Sequence, residues 1–419
     1  MTSQIILINQ SGVAVASDTM TTYSGSHGVH KTFPTANKIY ELGGNHKVAV
    51  MHSGSTAIGG LRYELLIREW ALQQVDPLPS LEDYPRVFED WLANYRILPI
   101  DEADVVYRNL CEEFGDFIGN MPEELKQQLA EQCDNGDGIS KELEEEVVGG
   151  IDEVGDLWFV DDQPFRDLNA KRVLDFLRAQ PESAVDHFLE HIALLSNRKK
   201  VAWIPSEPLS NAIENFAVKR FLHLCFSRNN AATLNFVGFG TGEPIAGVVE
   251  VEVDGFYLGR LRSRRSKREP ESGSANEWIG TIAQDEAMQD FIGGLAFGRQ
   301  KDFVDWAAVS ASKALGIESD AEGMASFRED FSEGIRHRLW IDYVAPFRQT
   351  MRALSLPNLV QLAESLVRIQ SLRSVTAPGE ATVGGRVESL TISRQHGVQW
   401  HLTYSERESA VDTQIHPLA

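Results

Sequence analysis

Three residues near the start of the chain have the types and order that nucleophilic amide hydrolysis needs. Thr2 follows Met1, and removal of that methionine would give Thr2 a free α-amine beside its hydroxyl. An α-amine has a reference pKa of about 8, so at neutral pH part of it is free base and can accept the hydroxyl proton. An ammonium group nearby, offered by Lys38, would lower the pKa of that amine, and the carboxylate of Asp18 would orient Lys38.

Short strands must bring these residues together. Apolar runs separated by turn-forming residues predict four strands of antiparallel sheet, at 5–8, 13–16, 38–42 and 47–51. A turn ending at Gly12 joins the first two as a hairpin. Asp18 and Lys38 then stand at the ends of strands that lie beside the first strand, close to Thr2. Residues 56–74 follow with the apolar spacing of a helix.

The same residues carry a resemblance to a known family. From Thr2 to Thr22 the sequence resembles, without a gap, proteasome β-type subunits and their bacterial double-ring peptidase relatives. The shared features are the nucleophile, the Gly turn, "VASD" and a threonine four residues after Asp18. "NKIYEL" is similar to the strand that carries the family's lysine, and "VAVMHSGSTA" to the strand and turn that supply its oxyanion-hole amide, here at Gly54. Two later segments are similar to the family's central and closing strand pairs: "NFVGFGTGEPIAGVVEVEVDGFYLGRL" and "TVGGRVESLTISRQHGVQW".

This resemblance implies an α+β fold, a four-layer αββα sandwich of the N-terminal nucleophile hydrolase type, and the order of strands, helices and strands along the chain suits it. It implies a threonine peptidase in which Thr2, Asp18, Lys38 and Gly54 carry the catalysis and Thr22 helps to bind substrate. The substrate would be a peptide or an unfolded protein, although the same chemistry serves other amides. A homo-oligomeric ring, an ATPase partner and the absence of any cofactor or metal are further implications.

Two segments depart from the family pattern. Where the family has an aspartate three residues before a serine and a Gly pair, this chain has Glu380 followed by Val383 and Gly384. Glu380 could take the acidic role, but Val383 has no hydroxyl. Where the family has Gly-Ser-Gly beside the nucleophile, this chain has "IAQD", in which the Gln284 amide could supply the missing polar contact.

The middle of the chain is longer than the family pattern requires. We predict that residues 1–76 and 231–405 form the two parts of a proteasome-like domain and that residues 406–419 form a tail. Residues 77–230 read as several amphipathic helices, which predicts an enlarged helical insertion over or beside the site entrance.

Three motifs in or near the insertion resemble binding sites, but each has a simpler structural interpretation. "DNGDGI" from Asp134 resembles the start of a calcium loop, but its ligand alternation is broken, so we predict an acidic linker that runs into residues 142–146. His187 and His191 are four residues apart and could bind one metal ion together. We expect instead that both lie on a solvated helix face. The basic run from Arg260 to Arg268 is expected to be a solvated loop, or to engage an acidic partner or its own acidic neighbours.

Composition limits the remaining classes. Of 419 residues, 42% are apolar and 24% charged, which excludes a disordered, collagen-like or disulfide-scaffold protein. A formal net charge of −22 repels nucleic acid and anionic membrane, so we expect neither as a partner. No apolar run approaches the roughly 18 residues of a membrane span. Without a recognisable signal peptide, and with three scattered cysteines, the sequence predicts a cytoplasmic protein.

Two alternatives to the peptidase stay open. A catalytically silent interaction protein that keeps the sandwich as a scaffold is favoured by the altered segments at Glu380 and Gln284. A metal-dependent hydrolase that uses the histidines of the insertion is the more remote alternative. Thr2, Asp18 and Lys38 argue against the scaffold, because a scaffold has no need of all three.

Overall fold

The structure is a computed structural model, and it describes residues 2–24, 30–33, 36–95, 102–135, 139–157, 169–196, 203–222, 231–268, 277–316, 322–377 and 381–401. Helices and antiparallel strands are mixed along the chain, which confirms the predicted α+β class. Within the described ranges, no helix combines the length and apolar character that crossing a membrane requires.

The strands follow one another in three groups, β1–β8, β9–β12 and β13–β14, with a helical region between each group and the next. In chain order they are β1 (Ser3–Asn9), β2 (Gly12–Asp18), β3 (Thr21–Ser24), β4 (His30–Phe33), β5 (Ile39–Glu41), β6 (Lys47–Gly54), β7 (Ala57–Ile58), β8 (Leu61–Arg62), β9 (Ala232–Phe239), β10 (Gly247–Tyr257), β11 (Arg260–Arg268), β12 (Trp278–Ala283), β13 (Val387–Ser393) and β14 (Gly397–His401).

The helices fill the two regions between those groups, α1–α8 before β9 and α9–α13 before β13. They are α1 (Tyr63–Gln73), α2 (Asp83–Ala93), α3 (Glu102–Gly119), α4 (Glu123–Asn135), α5 (Lys141–Leu157), α6 (Ala170–Arg178), α7 (Ala184–Leu195), α8 (Glu207–Leu222), α9 (Glu286–Gly293), α10 (Phe297–Leu315), α11 (Glu322–Leu339), α12 (Ala345–Ala353) and α13 (Leu356–Thr376), with a π-helical segment at Trp340–Val344.

Two five-stranded antiparallel sheets organise the strands. The first has the order β12-β1-β2-β13-β14 and the second the order β11-β10-β9-β6-β5. The predicted hairpin is confirmed, because β1 pairs with β2 across a turn that ends at Gly12. The expectation that the strand of Lys38 lies beside the first strand is wrong, because β5 and β6 belong to the second sheet. The β1–β2 pair and the β5–β6 pair both carry apolar side chains on both faces. Each pair can therefore be buried on both faces in a sheet of its own.

The two sheets share a core, and helices cover their outer faces. Side chains from both sheets meet in a cluster that includes Ile6, Val15, Met51 and Val237. Helices α9, α12 and α13 pack on the outer face of the first sheet. Helices α1 and α2 pack on the outer face of the second, where Trp70 contacts β9. Each sheet is therefore held between a helical layer and the other sheet.

Helices α3 to α8 form a helical unit around a core that also contains Tyr257 of β10. Their buried side chains cluster together, with Phe114, Phe188 and Phe216 in ring contact. Helix α2 lies within the predicted 77–230 insertion but packs against the second sheet instead. The predicted domain boundaries therefore stay predictions, while the shared core of α3 to α8 is a direct observation.

Two charged segments are regular elements. Residues 142–146, into which the predicted acidic linker runs, lie in helix α5, because Leu143, Val147 and Ile151 recur at helical spacing and are buried between the glutamates. The linker itself stays a prediction, since residues 136–138 lie outside the described ranges. The basic run is strand β11 instead of a solvated loop, because it pairs along the length of β10. Its arginines bind acidic side chains of the same chain, as in the contacts of Arg262 with Asp254 and of Arg264 with Glu252.

Candidate functional site

Thr2 is held at the start of β1, one of the inner strands of the first sheet. Its residue is 7% exposed, and its carbonyl oxygen accepts a hydrogen bond of 2.9 Å from the backbone N–H of Gln284. The side-chain amide of Gln4 donates to the carbonyl of His52 on β6 at 2.9 Å and to Ser17 Oγ at 3.2 Å. These bonds fix the beginning of β1 relative to both neighbouring strands and to the second sheet.

Asp18 is a fully buried carboxylate that accepts four hydrogen bonds. Its Oδ1 accepts from the Ser3 N–H at 2.9 Å and from Lys38 Nζ at 2.7 Å. Its Oδ2 accepts from the N–H groups of Met20 at 3.3 Å and Gly384 at 3.2 Å. Donors of this kind replace the water that a buried charge loses. Asp18 therefore joins the backbone next to Thr2 directly to the lysine.

Lys38 lies just before β5, in the second sheet, and not on a strand beside β1 as we predicted. The chain crosses between the sheets after Asp18, so the lysine reaches the aspartate from the facing layer. Its ammonium group also donates to the Met20 carbonyl at 2.6 Å. Burial lowers the pKa of Lys38, while the Asp18 carboxylate acts in the opposite direction. The Asp18 carboxylate therefore favours the charged form of Lys38, which burial disfavours.

Gly54 ends strand β6 in a conformation that requires glycine. Its φ angle is +81°, and a Cβ at this position would come within 2.3 Å of the Ala231 carbonyl oxygen. The backbone at Gly54 is therefore in direct contact with the start of β9. The backbone N–H of the next residue, Ser55, donates to the same carbonyl at 2.9 Å. A side chain here would push the turn away from its present position.

The structure brings Thr2, Lys38 and Gly54 to one cleft of about 450 Å³. Asp18 lies beneath it, in contact with Lys38. The rest of the wall combines hydroxyl, charged and aromatic groups that sequence reasoning did not single out. These residues are Thr21, Phe33, Ala36, Asn37, Tyr40, His52, Ser53, Thr56, Arg62 and Glu64.

His52 is one of the titratable wall residues that the sequence reasoning missed. Its Nε2 lies 2.7 Å from the Ser55 carbonyl oxygen, and its ring packs against Tyr63 with centroids 5.1 Å apart. Burial lowers its pKa to about 4, and Lys38 acts in the same direction. The imidazole is therefore neutral at pH 7 and donates from Nε2, since a carbonyl can only accept. The sequence position of His52 could have indicated it, because it stands two residues before the predicted site residue Gly54.

The remaining predicted site residues are less closely associated with the cleft. Gln284 contacts Thr2 through its backbone, while its side-chain oxygen accepts from the Thr382 hydroxyl at 2.9 Å. Thr22 lies on β3, opposite Thr32 of β4. Glu380 lies outside the described residues. Val383 is fully buried, so an apolar side chain occupies the position where the family has a serine.

The histidine pair of the helical unit is not on a solvated face, which corrects that expectation. His187 is 1% exposed because α7 packs against α3, and its Nδ1 lies 3.7 Å from Cys111 Sγ. His191 contacts the backbone carbonyl of Cys111 instead of sharing a ligand position with His187. Asp134 belongs to α4, and residues 136–138 of the same motif lie outside the described ranges.

The cleft thus combines a hydroxyl, a buried ammonium group and a glycine turn with a neutral imidazole. In such a set, the hydroxyl can attack an acyl group and the cation can polarise it. Backbone donors in the same concave site can bind its oxygen. No protein-family model matches this chain, and no curated protein matches it.

Proposed function

We propose that the protein is an N-terminal threonine hydrolase that cleaves peptide bonds. One observation carries the proposal: Asp18 Oδ1 binds both the backbone N–H next to Thr2 and the ammonium group of Lys38, at 2.9 and 2.7 Å. This shared acceptor couples the position of the hydroxyl to the position of the cation. The family resemblance of the segment from Thr2 to Thr22 supports the same assignment.

In the proposed reaction, Thr2 Oγ attacks the substrate carbonyl carbon after Met1 has been removed. The α-amine of Thr2 accepts the hydroxyl proton and returns it to the leaving amine, and water then hydrolyses the acyl-enzyme. Lys38 lowers the pKa of the α-amine and offsets the developing negative charge, while Asp18 holds Lys38 in place. The Gly54 backbone N–H stabilises the oxyanion.

The arrangement of layers supports the fold that this proposal requires. Helices α9, α12 and α13, the first sheet, the second sheet and helices α1 and α2 follow one another in that order. This order is compatible with the four-layer αββα sandwich of N-terminal nucleophile hydrolases that the proposal requires. On this proposal, α3 to α8 are an addition to the sandwich, and a homo-oligomeric ring and an ATPase partner are the assembly that the family resemblance implies.

One observation favours a second function, a catalytically silent scaffold with the same fold. Val383 is fully buried where the resembled enzymes have a serine, and the Gly384 N–H beside it donates to Asp18 Oδ2. The closing segment therefore supports Asp18 but supplies no hydroxyl at that position. A scaffold would keep this contact for stability alone.

Hydrolysis of a fluorogenic peptide library, with and without a chelator, separates these functions. We expect turnover that survives chelation and disappears in Thr2→Ala. Ser3→Ala is the matched control, since Ser3 Oγ is buried and has no hydrogen-bond partner within the described residues. Its turnover should equal that of the wild type. Equal activity of Thr2→Ala and wild type would refute the mechanism, and no turnover of any peptide would favour the scaffold.

A further inference from the structure

A thiol, an imidazole and two carboxylates converge in the helical unit, away from the cleft. Cys111 Sγ on α3 lies 3.7 Å from His187 Nδ1 on α7. The carboxylates of Glu190 and Glu182 lie 3.8 and 3.9 Å from the same nitrogen. The ligand atoms of Cys111, His187 and Glu190 all lie within 4.8 Å of one another.

The surrounding core fixes these groups. Phe114 of α3 and Phe188 of α7 meet edge to face at 5.7 Å; they stand three residues after Cys111 and one residue after His187. Gly115 leaves room for His191, whose Nε2 would lie only 3.1 Å from a Cβ at that position. His191 in turn contacts the Cys111 backbone carbonyl. The convergence is therefore a property of two tightly packed helices and not of a mobile loop.

The geometry distinguishes a cation site from a nucleophilic dyad. A catalytic thiol or hydroxyl shares its histidine with a carboxylate on the other ring nitrogen. Here sulfur and carboxylate oxygens approach one and the same nitrogen, which is the arrangement around a shared cation. Bonds of about 2.3 Å to sulfur and about 2.1 Å to nitrogen or oxygen give tetrahedral edges of roughly 3.4–3.6 Å. The distances of 3.7, 3.8 and 3.9 Å are only a few tenths longer.

We propose that Cys111, His187 and Glu190 bind a zinc ion. A thiolate, an imidazole and a carboxylate are a donor set that suits zinc better than magnesium or calcium. Binding displaces the thiol proton of Cys111 to solvent, so the ion meets a thiolate. The three ligands come from α3 and α7, and Glu182, in the segment just before α7, lies near His187. The ion therefore pins two helices of the helical unit, and it serves no step at Thr2.

Cobalt substitution tests this proposal on the full chain. Protein freed of metal by a chelator is titrated with Co²⁺, and we expect one equivalent to bind with the near-ultraviolet absorption of a thiolate–cobalt bond. Zn²⁺ should then displace Co²⁺, since zinc binds more tightly to such a site. Thermal unfolding should move to higher temperature with one equivalent of Zn²⁺, because the ion binds only the folded arrangement.

Variants assign the ligands. Cys111→Ser should lose the thiolate absorption, while Cys133→Ser, which alters the buried thiol of α4, should keep it. Glu190→Gln and Glu182→Gln change half-exposed side chains and should fold normally. Loss of a ligand should weaken Co²⁺ binding at least about tenfold, since even outer-sphere partners contribute that much. A cobalt complex without thiolate absorption, or a Cys111→Ser protein that binds like the wild type, would overturn the proposal.

Discussion

The chain buries ion pairs in two regions, and the cation differs between them. At the cleft, the pair is Lys38 with Asp18. In the helical unit and on the neighbouring edge of the second sheet, the pairs are Arg220 with Glu113 and Arg262 with Asp254. Arg262 reaches both carboxylate oxygens with two different nitrogens, and its guanidinium lies 4.4 Å from the Tyr257 ring centroid.

On the proposed function, this difference separates a pair that supports chemistry from pairs that support packing. A guanidinium stays charged, donates two parallel hydrogen bonds from one plane and stacks on aromatic rings. An arginine in a core ion pair therefore keeps its charge at every pH at which the protein folds. A lysine is a point charge whose pKa shifts readily on burial, and burial lowers the pKa of Lys38. Lys38 also lines the cleft, whereas neither of these two arginines does. We therefore interpret the lysine as the group that adjusts the proton balance at Thr2.

The largest expected effect follows from removal of the cleft cation. Lys38→Ala should lower kcat for peptide hydrolysis at least about a thousandfold, as removal of one member of a catalytic set does elsewhere. Lys38→Arg keeps the charge but replaces the point donor with a planar fork, and we expect most of that loss to remain. Steady-state kinetics measures both, and thermal unfolding shows whether each variant folds. Full activity in either folded variant would erase the distinction between the two regions.

The matched change in the helical unit should affect stability instead. Arg220→Met removes the guanidinium that pairs with buried Glu113, and breaking such a pair costs about 3–5 kcal/mol. The double variant Arg220→Met, Glu113→Leu should recover most of that loss, because no buried carboxylate is left without its partner. Urea unfolding measures the free energies. A single variant as stable as the wild type would mean that the pair is solvated.

A smaller effect concerns pH and the wall of the cleft. His52 has a folded pKa of about 4 against an ordinary value of about 6.5, so the unfolded chain binds more protons between these values. Its contribution to stability is complete above pH 6.5 and is lost as the pH falls towards 4, by about 3 kcal/mol at most. The free energy of unfolding should therefore fall less steeply in His52→Gln than in wild type over this window. Parallel curves would contradict the buried, neutral imidazole.

The smallest effect should come from a conservative change of a core arginine. Arg262→Lys keeps the charge near Asp254 but loses the planar fork and the stacking on Tyr257. We expect a loss of about 1–2 kcal/mol in the free energy of unfolding, with peptide hydrolysis unchanged. Urea unfolding and the kinetic assay are run on the same preparation. A large loss of activity would link this pair to the cleft.

Local sequence patterns predicted the parts of the fold that depend on local structure. The β1–β2 hairpin follows from two apolar runs and one glycine turn, and β13 lies where its apolar run predicts it. The division of the strands between two sheets could not be read from the sequence, because both sheets are buried on both faces and their strands look alike. Helix α5 was missed because its glutamates obscure the spacing of Leu143, Val147 and Ile151.

The site was predictable where chemistry restricts the residue type. Thr2, Lys38 and Gly54 do share one cleft, and Asp18 does contact Lys38. The bond from Gly384 to Asp18 joins residues 366 positions apart, and no local pattern encodes such a contact. His52 escaped because its pKa depends on burial against Tyr63 of α1, which the sequence does not state. Long-range packing therefore determined what the sequence could not predict.

The central claim is that Thr2 is a free and activated nucleophile. Intact-protein mass spectrometry before and after treatment with an epoxyketone or β-lactone inhibitor measures this directly. We predict a mass that lacks Met1 and gains one inhibitor adduct, localised to Thr2 by peptide mapping and absent from Thr2→Ala. A chain that retains Met1, or a free Thr2 that takes no label while the protein is folded, would contradict the claim.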